Sequence, residues 1–154
     1  MSKIKLDLNS EQNILNMLME SSSLSEDQMS KINANSKEIG KTKLETAIEL
    51  NFTDEIKIQK TLSTNYSLEL ISLEKKVIDP KIKKIIDLRY IQDNLLVPFE
   101  MGEGVLKIAI ADASKLGLMK NLKTMTKMEP ELYAATISDI NEFIDRISRL
   151  DTKK

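Results

Sequence analysis

The stretch LLVPFEMGEGVLKIAIAD, residues 95–112, decides the fold class of this chain. It contains two apolar runs, LLVPFE and GVLKIAIA, which are joined by MGEG with Gly102 and Gly104 in the loop. Two short apolar runs separated by a glycine-containing segment are typical of a β-hairpin. The sequence therefore predicts antiparallel strands in the second half of the chain.

Strand and helix patterns alternate on both sides of this hairpin. The patterns predict two further strands, in LELISL (68–73) and EPELYAAT (129–136). They predict helices in DPKIKKIIDLRYIQDN (79–94), ASKLGLMKNLKTMTK (113–127) and SDINEFIDRISRL (138–150). Residues 67–154 are thus expected to form a small α/β lobe with a three- to four-stranded sheet.

Proline and capping residues refine these elements. Pro80 is expected at a helix start, where its missing N–H costs nothing, and Pro130 at the start or edge of a strand. The last helix is expected to begin with Thr136 and Asp139 as a capping pair. Its buried stripe is predicted to consist of Ile140, Phe143, Ile144 and Ile147.

Residues 1–66 contain only helical patterns, in the four segments 9–22, 24–35, 43–50 and 52–66. Asn9 or Ser10 is the expected N-cap of the first segment, and Thr53 that of the fourth. Ser25, with Gln28 three residues later, has the spacing of a capping box for the second. The expected buried positions are Ile14, Met17, Leu18, Met29, Ile32, Leu44, Ala47, Ile48, Ile58 and Leu62.

These four segments form a repeat. A helix, a break and a capped second helix occur twice at a period of about 28 residues, and MESSSLSEDQM (19–29) matches IELNFTDEIKI (48–58). One helix pair cannot bury its apolar stripe alone, so the two pairs are expected to pack together. The predicted fold class is α+β: an N-terminal four-helix lobe of two repeated helix pairs, followed by the α/β lobe. Because no low-complexity linker separates them, the lobes are expected to be in contact.

The composition excludes several classes of function. The 154 residues carry 23 Lys plus Arg and 24 Asp plus Glu, so the net charge of -1 creates no basic field for nucleic acid. The absence of cysteine excludes disulfides and thiolate metal sites, and the absence of histidine removes the usual general base and the commonest metal ligand. No apolar run approaches the ~20 residues of a membrane span. A cytoplasmic protein without a metal is expected.

The tripeptide Gly40-Lys41-Thr42 is the end of a nucleotide-binding P-loop motif, but the rest of the motif is missing. A P-loop needs a further glycine five residues before Gly40, where this chain has Asn35, and it follows an apolar strand rather than a polar helix. Without that first glycine the loop cannot readily surround a phosphate. We therefore expect Gly40 to end one helix in a left-handed C-cap.

Other candidate sites have simpler structural interpretations. Asp112 follows a strand and is expected to act as a cap or turn residue rather than a metal ligand. The lysines at positions 75, 76, 81, 83 and 84 could contact an acidic partner, but a solvated face is the first interpretation. The residues contain no constellation that supports catalysis, and no enzyme activity is expected.

The order of these parts resembles the MshEN domain, the N-terminal domain of bacterial type II secretion and type IV pilus assembly ATPases. The likeness extends from about residue 10 to about residue 149. It is carried by IDP at 78–80, LLVPFE at 95–100, IAIAD at 108–112 and ISDINEFI at 137–144. Each motif is weak alone, but their order and spacing together are fairly specific.

The first lobe is similar to the family's doubled motif, in which each copy begins with Arg-Leu-Gly, has a glycine after its first helix and ends with Gln. The resemblance implies that these positions hold cyclic di-GMP in binding members. This chain departs from nearly all of them. The Arg, first Gly, middle Gly and Gln places of the first copy are occupied by Asn13, Leu15, Ser22 and Ser36. Those of the second copy are occupied by Thr42, Leu44, Asn51 and Asn65.

These departures remove the groups that would recognise the ligand. Arginine offers a fixed fork of donors to phosphate and can stack on a base, whereas Asn and Thr cannot. A leucine side chain fills the space that glycine leaves for a ligand. A shift of the second copy by one residue places Lys43 at the Arg position but still supplies no glycine. The pattern indicates a retained scaffold with a vacated ligand site.

The resemblance implies a non-catalytic protein-interaction or regulatory module of a secretion or pilus machine, with protein components of that machine as partners. No cofactor is expected, and cyclic di-GMP binding is not expected. The alternatives are a sensor of cyclic di-GMP or another nucleotide through altered residues, and the regulatory domain of a motor ATPase. The chain ends at RLDTKK without a Walker sequence, so a free-standing protein and a domain cut from an ATPase both remain open.

Overall fold

The computed structural model describes residues 8–39 and 42–149. The first half contains the helices α1 (Leu8–Glu20), α2 (Glu26–Ile39), α3 (Lys43–Glu49) and α4 (Glu55–Tyr66). The second half contains β1 (Glu69–Leu70), α5 (Ile82–Ile85), α6 (Leu88–Asn94), β2 (Val97–Gly102), β3 (Val105–Ile110), a 3-10 helix (Ala113–Leu118), α7 (Met119–Thr126), β4 (Glu129–Ala134) and α8 (Ile137–Arg149). The α+β class is confirmed; the division into lobes at residues 66 and 67 stays a prediction, and the helical lobe and the α/β lobe are used below as labels for the described residues before and after that point.

The caps of the first four helices agree with the sequence in part. Ser25 forms the predicted capping box: the Gln28 N–H donates to its Oγ at 3.1 Å, and its own N–H donates to Gln28 Oε1 at 3.0 Å. The prediction for α4 is wrong by one residue, because Asp54 rather than Thr53 accepts the Lys57 N–H, at 2.8 Å.

The N-cap prediction for α1 is also wrong, because this helix already includes Leu8. Asn9 and Ser10 are therefore helical residues. Ser10 is fully buried, and its hydroxyl accepts a hydrogen bond from the Lys115 ammonium group. A serine that resembles a cap in the sequence is thus a packed residue whose partner lies more than a hundred positions away.

The repeat is visible in the hydrogen bonds that end α1 and α3. Ser22 and Asn51, 29 positions apart, both have φ of 64°, in the left-handed region. The N–H groups of Ser22 and Ser23 donate to carbonyls in the last turn of α1, at Met19 and Leu18 respectively. Asn51 and Phe52 donate in the same way to carbonyls near the end of α3, at Ile48 and Ala47. Both helices thus end in the same Schellman motif, which requires one left-handed residue.

The sheet contains four strands in the order β1-β4-β3-β2. Strands β1, β4 and β3 are parallel, and β2 is antiparallel to β3, so the predicted hairpin and strand count are confirmed. The hairpin turns at Glu103 and Gly104, whose φ values of 53° and 79° match a type I′ turn. Gly102 is the last residue of β2 rather than a loop residue. Pro130 lies where β4 pairs with β3 alone, since β1 reaches only Tyr133 and Ala134.

The segment 79–94, predicted as one helix, is two short helices separated at Ile86, which has an extended conformation. The buried residues Ile86 and Ile91 are five positions apart, and a continuous helix would turn them about 140° away from each other. The break allows both side chains to reach the core. Pro80 precedes α5, and its carbonyl accepts the Lys83 N–H at 3.3 Å.

The last helix agrees with the sequence except for one partner. Thr136 Oγ1 accepts the Asp139 N–H at 3.1 Å, as expected of a cap. The Asp139 carboxylate does not return the bond within the helix, because it accepts the Leu73 N–H at 3.0 Å. The predicted stripe is buried and joins one continuous core that includes residues of both lobes, among them Ile14, Leu18, Leu62, Ile108, Ile110, Phe143 and Ile147.

Candidate functional site

The ligand-motif positions of the first helix pair are occupied by residues that serve the protein's own packing. Asn13 is half-buried on α1, and its Oδ1 accepts the Ala113 N–H at 3.0 Å, at the start of the 3-10 helix. Leu15 belongs to the core, with 1% of its surface exposed. The Oδ1 of Asn13 is thus engaged within the protein, and the Leu15 side chain fills its place in the core.

The equivalent positions of the second helix pair, Thr42 and Leu44, also take part in the protein's own hydrogen bonds and packing. Thr42 is the N-cap of α3, where its Oγ1 accepts the Glu45 N–H at 3.1 Å and its own N–H donates to Glu45 Oε1 at 3.2 Å. Leu44 is completely buried. Helices α1 and α3 contact each other, so the structure brings these two pairs of positions to neighbouring helices.

The remaining motif positions differ in exposure. Ser22 and Asn51 are exposed in the two Schellman turns, at the point where the backbone needs a left-handed residue. Ser36 is buried, and its hydroxyl donates to the Asn33 carbonyl at 3.4 Å. Asn65 is exposed near the end of α4. That these eight positions are a vacated cyclic di-GMP site stays a prediction.

A set of hydrogen bonds that the sequence did not indicate joins the two lobes; we call it the lobe seam. Its residues in the helical lobe are Ser10, Asn13, Glu55 and Gln59, and its residues in the α/β lobe are Ile71, Ala113, Lys115, Ala134 and Ser138. Each helical-lobe side chain contacts a position between 12 and 105 residues away in the sequence.

The strongest part of the lobe seam involves α4. The Glu55 carboxylate accepts both the N–H and the hydroxyl of Ser138 at 2.7 Å, which caps the first turn of α8 from the other lobe. One turn later, Gln59 Nε2 donates to the Ile71 and Ala134 carbonyls at 3.2 and 2.9 Å. One feature of the sequence could have indicated this contact. Gln59 is a polar residue that lies beside Ile58 and before Leu62, both of which belong to the buried stripe.

Asp112 has the capping role that was expected for it. Its Oδ1 accepts the Ser114 N–H at 2.9 Å and also the Ser114 hydroxyl, which begins the 3-10 helix. Its other carboxylate oxygen is buried without a hydrogen-bond partner. Within the part of the chain that the structure describes, no three acidic side chains lie close enough together to hold a metal ion.

The ionisable groups with shifted pKa values do not form a reactive site. Burial raises the pKa of the Tyr90 phenol. The Glu100 carboxylate, 3.6 Å from Lys107, raises the pKa of that ammonium group. A hydrogen bond to Glu131 raises the pKa of the Tyr133 phenol. All three changes keep the protonated form at neutral pH, so none of them produces a general base.

Of the P-loop-like tripeptide Gly40-Lys41-Thr42, the structure describes only Thr42. Gly40 and Lys41 lie outside the described residues, and with them the expected left-handed cap at Gly40. The Thr42 hydroxyl takes part in the capping box of α3.

No helix within residues 8–39 and 42–149 is both long and apolar enough to cross a membrane.

Comparison with known proteins gives a family and a fold. The family model described as the MshEN domain matches residues 66–153, which is the α/β lobe and leaves the helical lobe outside the match. Among curated proteins, the type IV pilus assembly ATPase PilB of Thermus thermophilus is 20% identical over 123 residues. That alignment covers 79% of this chain but only 14% of PilB.

Solved structures extend the likeness of the fold to the helical lobe. A structure of MshE with cdg, the abbreviation of cyclic di-GMP, superposes with a TM-score of 0.63 at 21% identity, covering 87% of this chain and 97% of that one. The N-terminal domain of XpsE superposes with a TM-score of 0.61 at 20% identity, covering 92% and 98%. Because the MshEN model matches more than half of the chain, this protein belongs to the MshEN domain family.

Proposed function

We propose that this protein is a non-catalytic interaction and regulatory module of a type II secretion or type IV pilus-like machine. It acts either as a free-standing protein or as one domain of an assembly ATPase. Membership of the MshEN family and the likeness to a domain-sized part of PilB support this partner class.

The observation that carries the proposal is the state of the four central motif positions. Leu15 and Leu44 are buried in the core, and the side-chain oxygens of Asn13 and Thr42 accept hydrogen bonds from backbone N–H groups. A nucleotide at these positions would have to displace core side chains and leave backbone donors unsatisfied. The helical lobe is therefore proposed to be held by its own contacts, as a folded surface for protein partners in the cytoplasm.

A second candidate function is a sensor of cyclic di-GMP or a related nucleotide. It is favoured by the superposition on MshE with cdg and by the left-handed residues Ser22 and Asn51, which keep the backbone shape of both motif turns. Contacts through residues other than the missing arginines would then have to bind the phosphates. Calorimetry with cyclic di-GMP separates this candidate from the first.

The interaction role is tested in the native cell. The tagged protein is cross-linked, purified and analysed by mass spectrometry, with the tag alone and the destabilised variant Leu62→Ala as matched controls. We expect protein components of a secretion or pilus machine to be enriched with the wild type and reduced with the variant. Enrichment no different from the tag alone would contradict the proposal.

A further inference from the structure

The segment 74–84, which we call the lysine loop, carries the most prominent exposed apolar side chain of the described residues. Val77 is 85% exposed, more than any other large apolar residue in the part of the chain that the structure describes. Single exposed apolar residues are ordinary on protein surfaces, so the exposure of Val77 matters here only together with the contacts of the backbone before it and the charge of its segment.

The backbone on the N-terminal side of Val77 is held firmly by α8. Arg146 donates from Nη1 to the Lys76 carbonyl at 3.0 Å and from Nη2 to the Leu73 carbonyl at 2.8 Å. The Leu73 N–H donates to Asp139 Oδ2 at 3.0 Å. Arg146 thus holds the carbonyl of the residue that directly precedes Val77, and Asp139 holds the backbone at Leu73, four positions before it. A side chain presented in this way loses little conformational freedom on binding, which favours its use as an anchor.

The net charge of the segment that contains Val77 indicates the chemistry of a partner. The lysine loop contains five lysines against Glu74 and Asp79, an excess of three positive charges. Lys76 lies 3.9 Å from Glu100 and over the Phe99 ring, so it belongs to the protein's own surface network. The lysines at positions 75, 81 and 84 are exposed and have no ion pair among the described residues. Beside them, Ser72, Glu74, Lys75 and Lys76 line an open hollow of about 430 Å³.

We propose that the lysine loop docks an acidic protein surface, with Val77 inserted into an apolar pocket of that surface. This proposal rests on the proposed interaction function and locates its docking site at residues 74–84. A protein is favoured over a lipid surface because membrane-binding basic segments typically need four to eight clustered lysines or arginines, and three exposed lysines beside one valine are too few. The positive charges steer an acidic partner, and the fixed valine supplies the desolvated contact.

The test is site-specific photo-cross-linking with the full chain in its native cell. A photoreactive amino acid is placed at position 77 and, as a control, at the exposed position 92 on α6. We expect a protein adduct from position 77 alone, attached within a stretch of the partner that is rich in Asp and Glu. A lipid adduct, an adduct in a basic stretch, or no adduct at all would overturn the proposal.

Charge variants complete the design. The triple variant Lys75→Glu/Lys81→Glu/Lys84→Glu should reduce the adduct about tenfold, because rim charges chiefly govern the rate and salt dependence of association. The control Lys57→Glu/Lys60→Glu/Lys120→Glu makes the same change of net charge on other exposed surfaces and should leave the yield unchanged. Equal melting temperatures of the two variants establish that folding is not the cause. An adduct that survives the first triple variant contradicts the proposal.

The two proposals fail in different ways. If cross-linked purification still recovers components of the machine while position 77 yields no protein adduct, the docking site lies elsewhere and the interaction function stands. If purification recovers none, the interaction function itself is wrong. The variant Val77→Ser, which keeps all charges, should lower the adduct formed from a photoreactive group at position 75, and an unchanged yield there would remove Val77 from the docking site.

Discussion

The two lobes of this protein differ in what has been retained. The α/β lobe contains the region that the MshEN model matches, whereas the helical lobe lies outside that match yet superposes on MshE and XpsE structures. The helical lobe keeps its buried stripes, its Ser25 capping box and both Schellman turns. Its motif positions carry other residues. The helical lobe thus shares the fold of these domains, and we propose that it does so without their ligand motif.

The lobes are nevertheless coupled by a shared core and by the lobe seam. Glu55 caps α8, and Gln59 bonds to strand-end carbonyls of the sheet. Asn13, at a motif position of the first helix pair, accepts a backbone N–H of the 3-10 helix. A position of the motif that we propose to be vacated is therefore a contact between the lobes.

Leu62→Ala should have the largest effect. This residue of α4 is completely buried, and truncation of a buried leucine costs about 2–5 kcal/mol of unfolding free energy. For a chain of this size that corresponds to a fall in melting temperature of roughly 5–15 °C, measured by circular dichroism. Ile56→Ala, on the same helix but 52% exposed, should change it little.

The same variant tests whether the lobes unfold together. Hydrogen exchange of Leu62→Ala should show faster exchange in both the α4 region and β3, because one core connects them. Loss of protection confined to residues 8–66 would contradict this coupling and would indicate two independent lobes.

Gln59→Ala should weaken the lobe seam by about 1–3 kcal/mol, the usual cost of an unsatisfied buried polar group. The carbonyl of Ile71 loses the side-chain donor, whereas the Ala134 carbonyl keeps the Ile71 N–H at 3.0 Å. Denaturant unfolding measures the loss, and Lys60→Ala, the exposed neighbour, is the control. Equal stability of the two variants would show that the hydrogen bonds of Gln59 add nothing to the packing of the lobes.

Thr42→Ala should cost about 1 kcal/mol. The loss arises because the hydroxyl completes the capping box of α3. Thr42→Ser should restore most of the stability, and Asn65→Ala, exposed on α4, should leave it unchanged. A Thr42→Ala variant as stable as the wild type would remove the capping role.

Ser22→Gly should stabilise the protein by up to about 1 kcal/mol. A left-handed conformation costs a non-glycine residue about 1–2 kcal/mol, partly offset by the greater freedom of glycine in the unfolded chain. Asn51→Gly should gain less, since asparagine tolerates this conformation. Urea midpoints measure both variants. Ser23→Gly, one position beyond the left-handed residue, should bring no gain, and a destabilised Ser22→Gly would show that glycine is not favoured at this turn.

Local patterns predicted much of this fold. The stripe of α8, the hairpin at 95–112 and the Ser25 box each depend on residues within a few positions of one another, and all three are present. The break at Ile86 was missed because the core, rather than helix propensity, decides which face Ile86 and Ile91 show. The N-cap prediction for Ser10 was wrong for a similar reason, because its packing against the distant Lys115 decides its role.

The lobe seam could not be predicted from sequence. Gln59 bonds to Ala134, a separation of 75 positions, and Glu55 bonds to Ser138, a separation of 83 positions. Nothing in the sequence next to Gln59 or Glu55 indicates that these are their partners. The motif positions were identified by alignment, but their present contacts, such as Asn13 with Ala113, became clear only from the packed lobes. The sequence alone suggested the positions, whose identity as a former ligand site stays a prediction, and it could not indicate which groups they bond to in the structure.

Calorimetric titration with cyclic di-GMP at physiological salt tests the central claim, that the helical lobe keeps its fold without the ligand site. The N-terminal domain of MshE serves as the positive control. Loss of two charge-assisted arginine contacts, each worth about 1.5–3 kcal/mol, weakens a micromolar ligand about a hundredfold or more. The prediction is no saturable heat at micromolar ligand, and a dissociation constant in the low micromolar range would contradict it.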